Sequence, residues 1–152
     1  MMELKIHTKY FGERDIKETT IIHFLSGVPG FQEEKEFVLL DIPGNELLQV
    51  LQSVQTADLA FIVANPHDFY NDYAFSLDDP ILDALQINEE KEVVILSILT
   101  IQEPFNQSTI NLKAPIIINA DKKYGKQYII NEEAFSLKAN ISLPTNAEER
   151  EG

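Results

Sequence analysis

A chain of 152 residues with no cysteine, 25 acidic and 12 basic side chains, and a formal net charge of −13 excludes several protein classes at once. Without thiols it forms no disulfide, Cys-ligated zinc site, iron–sulfur cluster or cysteine nucleophile. Its charge repels the phosphates that nucleic-acid-binding proteins meet with Lys and Arg, and favours a basic protein partner, although net negative charge also serves solubility.

The length suits one domain able to bury roughly 68–70% of the surface its unfolded chain exposes. The start, Met1-Met2-Glu3-Leu4-Lys5-Ile6, has no charged leader before an apolar stretch, and no apolar run is long enough to cross a bilayer. The expectation is a cytoplasmic protein.

Leu4, Ile6 and Thr8 alternate with Lys5, His7 and Lys9, predicting a strand that ends near Tyr10-Phe11-Gly12. Glu13 to Glu18 reads as a charged connection, and Thr19 to Phe24 as a second, β-branched strand. In Gly27-Val28-Pro29-Gly30-Phe31, Pro29-Gly30 is the favoured central pair of a type II turn. Strands follow at Phe37 to Ile42 and Leu59 to Ala64, the latter ended by Asn65-Pro66, while the apolar positions of Leu47 to Ser53 fit both a short helix and a strand, with Val50 among glutamines favouring the strand. Asp72 to Leu77 alternates as a further strand. Asp79 is placed to cap one short helix, with Pro80 at its first position and Ile81, Leu82 and Leu85 on its apolar stripe.

Val93 to Ile101 is the longest apolar run and predicts a central strand. Thr109 to Asn119 joins a polar alternation to the stiff run Ile116-Ile117-Ile118, with Pro115 between them withholding a ladder donor. Asp121 to Gly125 is a tight connection into Gln127 to Ile130, predicting a hairpin, and Glu133 to Ile141 adds a last strand or a helical turn. The expected fold is mainly β: a single-domain, small antiparallel β-barrel-like fold over residues 1–142 with one or two short helices. Residues 143–152 read as a polar, flexible C-terminal tail.

Local signatures of chemistry are missing. His7, His23 and His67 fall on separate elements without a second ligand at metal spacing, and Asp78-Asp79 with Asp83 lacks the glycine turn and downstream glutamate of an EF-hand loop. Neither a nucleophile elbow nor a phosphate-binding glycine loop is present. The expectation is a non-enzyme without cofactor or metal. Carboxylate pairs assembled from distant strands leave no local pattern, so a small β-barrel ligand-binding protein or hydrolase is the alternative.

Gly27-Val28-Pro29-Gly30-Phe31, Leu51-Gln52-Ser53, Phe61-Ile62-Val63-Ala64-Asn65-Pro66, Tyr73 and above all Thr109-Ile110-Asn111-Leu112-Lys113-Ala114-Pro115-Ile116 together resemble the FliW family of flagellar assembly factors. The resemblance spans most of residues 1–142, with Ile110 and Asn65 where the family often has alanine and aspartate. It implies a non-catalytic bacterial regulator that binds CsrA, a small RNA-binding translational repressor, and relieves its repression of flagellin synthesis. It also implies that flagellin binds and sequesters the regulator. Antagonism by RNA mimicry or by coupling from a separate site are both open, and the resemblance favours the second. Direct nucleic-acid and membrane contacts are not expected, and the free protein is expected to be a monomer.

Two partner-binding patches are expected. Phe31, Glu33, Glu34 and Glu36 would form one that is acidic and anchored by an aromatic ring, while Asp72, Tyr73, Asn111 and Lys113 would lie near a second.

Overall fold

A computed structural model describes residues 3–132 and 134–141. The expected tail, 143–152, lies outside the described residues. In chain order the strands are β1 (Glu3–Thr8), β2 (Gly12–Lys17), β3 (Ile22–His23), β4 (Glu36–Ile42), β5 (Asn45–Ser53) and β6 (Ala60–Ala64). The helix α1 (Asp79–Ala84) follows, then β7 (Val93–Thr100), β8 (Thr109–Ile110), β9 (Ile116–Asn119), β10 (Tyr124–Gln127) and β11 (Ala139–Asn140).

The strands β3, β4, β5, β6, β7, β9 and β10 pair in succession, and the contact of β9 with β7 closes them into a barrel. Every pairing in the ring is antiparallel except that of β10 with β3, which is parallel and has one register pair, Tyr124 with His23. The mainly β, barrel-like expectation is therefore correct.

Alternation along the strands divides the apolar side chains between the inside and outside of the ring. Inside lie Ile22, Phe24, Phe37, Leu51, Val63, Leu96, Ile116 and Ile118, with the Phe24 and Phe37 rings edge to face at 5.3 Å. Each such side chain stabilises the fold by roughly 1.5–3 kcal/mol relative to exposure.

The outer face is covered in three places. The β1–β2 hairpin lays Ile6 and Ile16 over Val38, Leu40 and Val50. An aromatic loop with Phe69 and Tyr73 covers Leu48, Leu99 and Ile110, and α1 sets Ile81 and Leu85 on Ile117. Burial on both faces accounts for the unbroken Ile116-Ile117-Ile118 run.

Several local expectations change. Residues 13–17 are a strand, because Glu13 and Asp15 of β2 face His7 and Lys5 across the hairpin and need only Ile16 buried. Residues 72–77 form no strand, although Tyr73 is buried and Phe75 and Leu77 are half-buried. Their alternation packs onto the barrel wall rather than into a ladder. Asp78, not Asp79, caps α1, its carboxylate accepting from Ile81 N–H at 3.2 Å. The predicted hairpin exists but starts its second strand three residues early, at Tyr124, so that Gly125 faces Ile118.

That glycine makes room for the barrel core. A Cβ on Gly125 would stand 2.8 Å from the Phe24 ring and 3.1 Å from Ile22. Gly125→Ala is expected to lower unfolding stability by about 1–3 kcal/mol through overpacking, measured as a shift of the urea midpoint at unchanged slope.

Candidate partner-binding surfaces

The first predicted patch is built on the turn after Phe24. Phe31 N–H donates to the Val28 carbonyl at 2.8 Å, and Val28 N–H returns a bond to Phe31. Gly30 takes φ +86, as the third residue of a type II turn requires. Gly27 is equally constrained, since a Cβ there would meet the Gln32 carbonyl oxygen at 2.3 Å.

The turn holds Phe31 at 46% exposure, with its inner edge against Phe61. Glu33 is exposed beside it. Glu34 is committed inward: its carboxylate accepts from Ser53 Oγ at 2.6 Å and from Thr56 Oγ1 at 2.5 Å. Glu36 sits in β4 with a carboxylate oxygen 3.9 Å from His23 Nδ1. Phe31 and Glu33 thus present a free aromatic and a free charge, while Glu34 fastens the turn to the β5–β6 connection.

The second patch begins with a mismatch on β7. Leu99 pairs with Ile110 and Leu96 with Ile116, so the five residues 111–115 stand opposite the two residues 97–98. The excess chain leaves the ladder as a knot of side-chain and backbone bonds. Asn111 Oδ1 accepts from the N–H groups of Lys113 and Ala114 at 3.1 and 3.0 Å, an Asx turn. Lys113 Nζ donates to the carbonyls of Ile130 and Glu132 at 2.9 and 3.1 Å.

Tyr73 completes the knot. Its hydroxyl, in a buried setting, donates to the Leu112 carbonyl at 2.6 Å, and its own carbonyl receives His67 Nε2 at 2.7 Å. Burial holds the Tyr73 phenol well above the usual tyrosine range. Asp72 is exposed on the rim of an open cleft of about 360 Å³ lined also by Tyr70, Leu112 and Phe135. The structure therefore brings Tyr73, Asn111 and Lys113 together, with Asp72 beside them, and spends the first three on internal bonds.

Two further polar residues that the sequence reading did not single out do similar work. Buried Gln52 accepts from Lys9 N–H at 3.0 Å and donates to the carbonyls of Ser53 and Ala57, tying the β1–β2 hairpin to the barrel. Buried Asn119 donates to the Leu85 and Gln86 carbonyls at the end of α1 and accepts from Asp121 and Lys122 N–H. Gln52 lies in a motif already in view. Asn119 closes a local Asx turn with Asp121 and Lys122, whereas its bonds to Leu85 and Gln86 join residues more than thirty positions apart and leave no local signal.

Among the described residues no three His, Asp or Glu side chains gather as metal ligands, and no helix is long and apolar enough to cross a membrane. A small mouth of the barrel, about 210 Å³, is lined by Thr20, Ile22, Leu39, Val94, Ile118, Ala120 and Lys123, a wall without a carboxylate or imidazole.

A model of the FliW protein family matches residues 5–141. The chain belongs to this family. A flagellar assembly factor FliW from Oceanobacillus iheyensis is 46% identical over 141 residues, which cover 93% of this chain and 96% of the relative. One from Bacillus subtilis is 44% identical over 136 residues, covering 90% and 95%. A crystal structure of the flagellar assembly factor FliW superposes with a TM-score of 0.87 at 42% identity, covering 91% of this chain and 96% of that one. The motifs behind the FliW resemblance lie where polar side chains clamp the β5–β6 turn and the knot beside β7.

Four substitutions test these assignments. Asn111→Ala is expected to cost about 1–3 kcal/mol, because two amide donors lose their acceptor. The raised Tyr73 pKa means that folding keeps this proton, so its contribution is complete below the unfolded tyrosine value of about 10 and is lost as pH rises beyond it. Tyr73→Phe should flatten that alkaline loss in unfolding curves recorded across pH. Glu34→Ala should destabilise by about 1.5–3 kcal/mol through its charged hydrogen bonds, while Glu33→Ala stays within about 0.5 kcal/mol.

Proposed function

We propose that this protein is a non-enzymatic flagellar assembly factor that binds CsrA, relieves its repression of flagellin synthesis, and is itself sequestered by flagellin. The observation that carries the reading is the match to the FliW protein family across residues 5–141, including the Asn111 to Pro115 knot. The charge of −13 supports it, because an acidic protein attracts a basic RNA-binding partner and complementary potentials speed encounter and set orientation. The reading places the protein in the cytoplasm, where CsrA acts on messenger RNA.

Phe31, Glu33 and Glu36 provide the first contact patch in this scheme, and Asp72 at the rim of the cleft beside the knot provides the second. Glu34, Tyr73, Asn111 and Lys113 act through them, by holding the two surfaces in shape. Antagonism then proceeds by binding CsrA away from its RNA site and disfavouring the RNA-competent state through a coupling free energy.

Titration calorimetry of the full chain with CsrA is the direct test. A salt-sensitive complex that purified flagellin displaces is expected, and absence of heat at low and moderate salt overturns the reading. Glu33→Lys with Glu36→Lys should slow association while leaving thermal unfolding nearly unchanged. Unaltered kinetics would reduce the patch to a solubilising face.

A further inference from the structure

A groove runs between α1, the loop before it and the wall of the barrel, on a face that neither predicted patch includes. Its floor is apolar: Phe75, Leu77, Leu82, Ile87, Val93 and Ile95 line a space of about 600 Å³, each of them half-buried rather than sealed. Its rim is acidic. Glu89 and Glu90 are exposed lining residues, and exposed Asp78, Asp79 and Asp83 occupy the cap and helix that supply Leu82. Glu92 keeps its charge readily as well, because the backbone N–H groups of Asn88 and Glu89 bond its carboxylate and lower its pKa. From residue 76 to 92 the only basic side chain is Lys91, 3.4 Å from Glu89.

We propose that this groove is a docking site for a basic amphipathic helix of a protein partner. Charge chooses the occupant. A second copy of the chain, at −13, would bring like charge to the rim, and so would the chain's own last residues, where Glu148, Glu149 and Glu151 outweigh Arg150. Architecture chooses the helix. Val93 and Ile95 alternate along β7 and offer the groove their side chains, an apolar floor that suits the stripe of an amphipathic helix. Lysines and arginines flanking that stripe would meet Glu89, Glu90 and the aspartates, while leucine-like residues replace water on the floor.

The inference goes beyond the CsrA reading and is tested without that protein. The probe is a fluorescein-labelled peptide of about eighteen residues with leucines at i, i+3, i+4 and i+7 and lysines elsewhere, compared with a scrambled isomer of the same composition. The full chain should bind the amphipathic form at least about tenfold more tightly than the scrambled one in fluorescence anisotropy, with affinity falling as salt rises.

Two variants separate shape from charge. Ser76→Trp fills the groove from an exposed lining position and should remove the preference for the amphipathic peptide while circular dichroism and melting stay unchanged. Asn88→Lys with Glu90→Lys should weaken binding of both peptides and flatten the salt dependence. Equal binding of the two peptides by the unmodified chain, or an unaltered preference in Ser76→Trp, overturns the proposal.

Discussion

The structure depends on how the chain from Thr109 to Asn119 meets one edge of β7. A strand that paired along the whole edge would need matched lengths, and here five residues face two. The excess is accommodated because the N–H groups of residues 111–114 and the carbonyls of residues 112–115 find partners outside the ladder. Asn111 satisfies two amides, Lys113 reaches two carbonyls, and Tyr73 fills the Leu112 carbonyl from a loop far back in the chain. A buried excursion with open donors or acceptors would cost several times what one such bond contributes. With the excursion satisfied, Ile110 and Ile116 both return to register and the ring can close.

This arrangement explains why a polar motif can identify a family more sharply than its core does. Apolar positions inside a barrel tolerate exchange among residues of similar volume. Asn111 has no such freedom, since a short side chain with one acceptor at that reach is needed to close the turn. Gln52 is similar: it must accept from the hairpin at Lys9 and donate to the β5–β6 turn at the same time. The surface around the knot and the Phe31 turn is then shaped by side chains turned inward.

Much of the barrel was legible in the sequence, for reasons that can be located. Phe37 to Ile42 and Val93 to Ile101 carry apolar runs and β-branched content that leave little choice, and Pro29-Gly30 specifies its own turn, whereas Leu47 to Ser53, with Val50 its single β-branched residue, fits a short helix as well as the strand it forms. Residues 13–17 were not legible as a strand, because their stabilisation comes from charges across the hairpin and one buried isoleucine. The alternation at 72–77 misled in the opposite direction: burial of alternate side chains requires a surface to cover, not a neighbouring strand. Of the predicted contact residues, composition located the acidic turn, but it could not show that Glu34 is turned toward Ser53 and Thr56, partners some twenty residues away. The groove beside α1 was similarly hidden, because its floor draws on side chains from the loop, the helix and β7.

The parallel joint between β10 and β3 has a consequence for how the ring moves. Elsewhere each joint of the wall has two to six register pairs, whereas this joint has Tyr124 against His23 and the bond from His23 N–H to the Lys123 carbonyl. Local openings follow the path with the fewest backbone bonds to break. The wall is therefore a belt with one buckle, and amide exchange at His23 reports its unfastening. Because β3 leads directly into the Phe31 turn, each opening of the buckle loosens one end of that turn, while Glu34 keeps the other end on Ser53.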